Sequence, residues 1–224
     1  LEKDLAFGIS RGEMLSVLAG VLLIPRERDG AFLGKFQHLQ RLSLIDGINP
    51  GRGKNAQYSA YQMAVIAIAF QFLQLGITPE RTVRIMKEKR RSIEKSLARV
   101  ASIEFDQHGM PVEAPDWRYR SFLKVDPAAL SDIKEPIDML AYSVEPLTGQ
   151  ELRTLLDEQF LSSAAQRFSA ISVSSTIGAI GIHLDLDMAK DPETFALGPK
   201  GLQFFKALYD WAVEEGLLDG DTEA

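Results

Sequence analysis

The stretch "AYQMAVIAIAFQFLQLG" (60–76) constrains this chain most. A helix that is apolar nearly all round must be enclosed by other elements or by lipid. Gln62, Gln71 and Gln74 interrupt it, and it falls short of the roughly 20 apolar residues a membrane span needs. It therefore reads as a buried core helix, opened by Ser59 as cap and closed by Gly76. No membrane partner is expected.

A core helix of this kind needs amphipathic neighbours, and the flanking sequence supplies them. Ser10 caps a helix over 11–24, with Glu13 placed for a capping box. Pro25 and "RERDG" end it. A second helix follows over 31–45, with Phe32, Phe36, Leu39 and Leu42 at helical spacing. Lys35, His38 and Arg41 fall mainly on its other side. After the core helix, Thr78-Pro79-Glu80 starts another, 79–100, by cap and first-turn proline.

That last helix carries Val83, Met86, Ile93, Leu97 and Val100 at steps of three and four, with Arg90 as a charged fault in the series. A heptad-like stripe has two readings: packing on the parent domain, or a homodimer seam.

The second half reads as α+β. "ASIEFDQHGMPVEA" (101–114) suggests a hairpin turning at 107–109. Strands are expected over 119–125 and 167–173, the second leading to a helix capped by Ser174 or Ser175. Asp126-Pro127 marks a short helix, Thr148 and Glu151 form a capping box, and an amphipathic helix is expected over 198–216.

The net charge of −6 hides an asymmetry. Residues 1–100 hold 16 Lys/Arg against 9 Asp/Glu, a net of +7; residues 101–224 hold 9 against 22, a net of −13. The split suggests a basic domain over 1–100 and an acidic one over 101–224, with different partners. The chain has no cysteine, which excludes disulfides and cysteine-ligated metals and makes a reducing cytoplasm the expected location.

Between the second helix and the core helix lies "GINPGRGKNAQYS" (47–59). A phosphate-binding loop needs G-x-x-x-x-G-K-[ST]. Gly51 and Gly53 are too close together, and Asn55 follows Lys54, so the motif fails. "GIN" and "AQYS" read instead as two short strands joined by a turn. "HLDLD" (183–187) alternates a His with two carboxylates but reads as a helix end or loop, and no nucleophile elbow is present. No metal, cofactor or catalytic residue is expected.

Helix, turn, helix and a basic two-stranded wing make a winged helix-turn-helix. In such a unit Lys35 and Arg41 contact guanine or phosphate. Gln37, His38 and Gln40 contact base edges, Arg52 and Lys54 on the wing contact phosphates or the minor groove, and Asn55 beside them is a further DNA-binding candidate.

Residues 38–88 resemble the MerR-type winged-helix regulators. The matching residues are Leu39, Leu42 and Leu44, the wing-closing pair Tyr58-Ser59, then Leu75-Gly76-Ile77 and Pro79-Glu80. The resemblance implies Tyr58 at the DNA-binding wing and an antiparallel dimer through the helix after Pro79, hence through Val83, Met86, Ile93, Leu97 and Val100. Ala56-Gln57 replace the arginine usual before the wing tyrosine, so Arg52 or Lys54 takes its place. The expectation is a dimeric bacterial or phage-type transcriptional regulator of double-stranded DNA. Its acidic half would serve oligomerisation, sensing or a further protein partner. A protein-interaction adaptor is the alternative, and an enzyme in the second half a weaker one.

Overall fold

The computed structural model describes residues 7–45, 56–112, 116–125, 144–161, 168–185 and 197–218. The chain runs β1 (Ile9–Ser10), α1 (Arg11–Val21), a 3-10 turn (Arg26–Arg28), α2 (Asp29–Arg41), β2 (Gln57–Tyr58) and α3 (Ala60–Gln74). It continues through α4 (Pro79–Glu88), α5 (Arg90–Ile103), a 3-10 turn (Trp117–Tyr119), β3 (Ser121–Val125), β4 (Val144–Thr148), α6 (Gly149–Leu161), β5 (Ser169–Ser172), α7 (Val173–His183) and α8 (Pro199–Glu214). This is a mixed helix and sheet fold with two small antiparallel sheets: β1 pairs with β2, and the second sheet has the order β4-β3-β5.

Local chemistry fixes most helix ends. Ser59 and Gln62 form a reciprocal capping box on α3. Thr148 and Glu151 do the same on α6. Ser10 accepts from the Glu13 N–H at 3.3 Å, but the Glu13 carboxylate bonds Lys200 of α8 rather than closing the box. The cap of α7 is Ser172, not Ser174 or Ser175, because β5 turns directly into the helix and the Ser172 hydroxyl meets the Ser175 N–H.

Helices α1, α2, α3 and α8 all end in Schellman motifs with a left-handed residue. Gly76 and Gly216 fill that position for α3 and α8, and Leu23 and Ser43 for α1 and α2.

α3 lies at the centre as expected, with Met63 through Phe70 continuously buried. Each fully buried large apolar side chain contributes about 1.5–3 kcal/mol. The core is one cluster running from Ile9 to Leu208. α8 packs on α3 and α5, and α7 packs on α1. The charge boundary at residue 100 is thus no boundary in the packing, and it falls inside α5.

Two further expectations change. The helix over 79–100 is two helices, broken at Lys89. The break turns Arg90 out to solvent instead of into the apolar stripe, so its guanidinium escapes burial. The hairpin over 101–114 shrinks to a turn with one bridge, Phe105 to Pro111, because α5 runs on to Ile103. Strand residues Gln57–Tyr58 pair with Ile9–Ser10, while the strand expected at 47–49 lies outside the described residues. The residues expected at a wing tip, Arg52, Lys54 and Asn55, lie outside the described residues, as do those of the helix expected from Asp126-Pro127 and Asp187 of "HLDLD".

Candidate nucleic-acid interface

α2 is bolted to the core along one side. Phe32 stacks on Phe70 of α3 with ring centroids 4.6 Å apart. Phe36 meets Tyr58 of β2 edge to face at 6.2 Å, and Leu39 is fully buried. Aromatic pairs in these geometries add to area burial. Asp29 in the first turn complements the helix dipole.

The opposite side is open. Gly30, Ala31, Gly34, Lys35, Gln37 and Arg41 are exposed. A Cβ built on Gly30 or Gly34 meets nothing within 4 Å. Mid-helix glycine costs about 1 kcal/mol relative to alanine. Among the described residues nothing approaches Gly34 closely enough to require that cost.

Of the five base-contact candidates on this helix, Lys35, Gln37 and Arg41 lie on the open side. The other two are turned to internal work. His38 Nε2 sits 3.1 Å from Glu80 Oε1 and ties α2 to the start of α4. Gln40 donates from Nε2 to the Tyr58 hydroxyl at 2.8 Å. Tyr58 itself is 1% exposed, which corrects its expected place on the DNA surface. Its ring fills the gap between β2 and α2. Burial raises its pKa, opposed by the Gln40 hydrogen bond and the charge of Arg11. Gln40 and Tyr58 thus hold β2 against α2.

The sequence reading missed three cations at this end of the molecule. Arg11 starts α1 beside Tyr58, and Arg26 and Arg28 stand in the turn leading into α2. All three are exposed, with no ion pair among the described residues. Their signal was present in "SR" and "PRER", next to a strand end and a helix start. Beside them Leu23 is 87% exposed with φ 55°, a left-handed conformation that costs a leucine about 1–2 kcal/mol.

The expected dimer seam is not on the surface. Val83, Met86, Ile93, Leu97 and Val100 are all buried within the chain, with Leu97 and Val100 at 0% exposure. α5 delivers its stripe to β3, β4, α7 and α8. Packing on the parent fold, the first reading of that stripe, is the arrangement observed.

The remaining polar motifs of the second half have structural partners. His183 ends α7 with Nδ1 2.9 Å from the Ala179 carbonyl, its ring against Gly20 of α1. Asp185 accepts the backbone N–H groups of Lys200 and Gly201 and caps α8. An open groove of about 460 Å³ lies where α6 crosses the β3–β4 pair, with the Lys124–Glu145 ion pair at 3.4 Å among its walls. Among the described residues no cluster of three His or carboxylate groups is placed to hold a metal ion, and no helix is long and apolar enough to cross a membrane.

No family model, no curated protein and no solved structure matches this chain.

Proposed function

We propose that this protein is a sequence-specific regulator of transcription that reads duplex DNA with the open face of α2. The carrying observation is that face itself: a helix locked by two aromatic contacts, presenting Lys35, Gln37 and Arg41 around open glycines. No carboxylate of α2 follows Asp29. Rigid placement on a helix suits base readout, and open glycines allow the helix backbone to approach a groove wall. Arg11, Arg26 and Arg28 supply phosphate contacts at the flanks. The resemblance of residues 38–88 to MerR-type regulators supports the same reading, with Arg52, Lys54 and Asn55 as wing contacts.

Leu23 favours a second reading, a protein-interaction adaptor. A strained and almost fully exposed leucine beside α2 is easier to explain by an apolar partner than by a phosphate backbone.

Selection from a random duplex pool separates the two. The intact chain is expected to enrich one motif. Replacing Lys35, Gln37 and Arg41 together with Ala should weaken binding to that motif by about 10–100-fold and reduce the salt slope. Thermal unfolding should move little, because exposed positions contribute within about 0.5 kcal/mol each. A pool that emerges without enrichment would sink the DNA reading and leave the adaptor.

A further inference from the structure

The sheet β4-β3-β5 has two edges, and they are built differently. The hydrogen-bond phase of the sheet is fixed by two contacts. Gly149 N–H donates to the Arg120 carbonyl at 2.9 Å, just beyond the Ser121–Thr148 pair. Hydrogen-bonded and non-bonded pairs alternate in an antiparallel ladder. Phe122–Leu147 and Lys124–Glu145 are therefore bonded pairs, and Val144, Pro146 and Thr148 turn their backbone groups to the outside. On the other side Ser121 N–H points towards β5 and meets Ser174 Oγ at 2.8 Å. Leu123–Ile171 and Val125–Ser169 are then the bonded pairs there, and Ala170 and Ser172 face out.

The β4 edge is sealed. Pro146 has no N–H to offer, and the Thr148 N–H is already taken by Glu151 Oε2 at 2.6 Å. Proline and charge are the usual devices that keep an edge from pairing. The β5 edge has neither. Its residues are Ser169, Ala170, Ile171 and Ser172, and Ala170 at its centre is exposed. No described strand pairs with that side.

We propose that β5 is the strand through which this protein dimerises: two copies pair edge to edge, antiparallel, about a two-fold axis at Ala170. Each three-stranded sheet then continues into that of its partner. The two Ala170 residues exchange N–H and C=O reciprocally, and each Ser172 N–H reaches the carbonyl of Phe168 in the other copy. β5 carries no charge, so no like charges oppose one another when it meets itself. A folded second copy presents this strand already ordered, whereas a free peptide would lose its own conformational entropy for the same few bonds. The α4–α5 stripe cannot serve instead, since its side chains are inside. This inference stands independently of the DNA reading.

Sedimentation equilibrium at micromolar concentration tests it. The intact protein is expected at twice the chain mass. Ala170→Pro removes a donor that has no partner among the described residues, and Ala170→Lys places two ammonium groups against each other across the axis. Both should shift the mass to that of one chain with unchanged circular dichroism. The chain has no cysteine, so Ala170→Cys gives a third readout. Bonded antiparallel pairs lie about 5.5 Å apart at Cα, within disulfide reach, and mild oxidation should link the variant into a dimer. Three results would each overturn the proposal: a single-chain mass for the intact protein, a dimer that Ala170→Lys leaves intact, or a dimer that Ala170→Cys fails to link.

Discussion

Helices α2 and α5 are alike on paper. Each has an apolar stripe at helical spacing and basic residues on the remaining surface. In the fold they are used in opposite ways. α2 buries only Phe32, Phe36 and Leu39 and leaves its polar side open. α5 buries seven residues, among them Glu94, and is enclosed by the sheet and by α7 and α8. Two of its exposed arginines pair with that carboxylate from the solvent side. Arg90 Nε lies 2.6 Å from Glu94 Oε1, and Arg91 lies 3.7 Å from Oε2. Tyr61, stacked on Trp211, donates its hydroxyl to the same carboxylate at 3.1 Å. Burial and the neighbouring Glu94 charge push the Tyr61 pKa up to about 12. An apolar stripe says that something covers it. It does not say whether the cover is the same chain or another.

Leu97→Asp tests this contrast most severely. A carboxylate at a site with 0% exposure should cost about 4–5 kcal/mol or more and unfold much of the chain. Chemical denaturation checks it. A folded variant that had merely lost its dimer would return the stripe to the role of a seam.

Glu104, at the C-terminal end of α5, gives a smaller effect of opposite sign. Burial raises its pKa, against the lowering by the Ser174 hydrogen bond and the Arg120 charge, and its Oε1 has no partner among the described residues. A carboxyl whose folded pKa is raised favours the folded state most when protonated. Its contribution is complete below the ordinary carboxylate range and is lost as pH climbs through the raised value. Glu104→Gln should therefore gain stability at neutral pH, on the order of 1 kcal/mol. Melting curves from pH 4 to 8 should show the gap opening with pH and then levelling; a constant gap would assign the effect to packing alone.

Leu23→Gly is the mildest test and belongs to the α2 side. Relief of the left-handed strain less the added chain entropy leaves a gain of about 0.5 kcal/mol. Urea titration reads it. If the variant is not stabilised, the strain argument for Leu23 as a partner contact goes with it.

Much of the fold was legible because its signals are local. The caps at Ser10, Ser59, Thr78 and Thr148 bind N–H groups three residues away, and each was readable from its own short segment. The open side of α2 followed from spacing, which put Lys35 and Arg41 away from the apolar stripe, where they are exposed. Spacing failed for His38, Gln40 and Tyr58, whose partners come from other elements: Glu80 for His38, and each other, 18 residues apart, for Gln40 and Tyr58. Ser172 was missed as a cap because "SVSST" offers several hydroxyls, and only the end of β5 selects among them.

By itself, then, the sequence determined where the helices capped by Ser10, Ser59, Thr78 and Thr148 begin, which helix sides are apolar, and that 60–76 must lie at the centre. Those properties depend on backbone hydrogen bonding within a turn or two and on the cost of wetting apolar side chains. Only the tertiary structure decided what covers each apolar side and which edge of the sheet stays open. Those outcomes rest on contacts between distant segments, such as the Phe105 ring stacked on Phe205 at 3.5 Å and the pairing of β3 with both β4 and β5. No window of local sequence contains both partners.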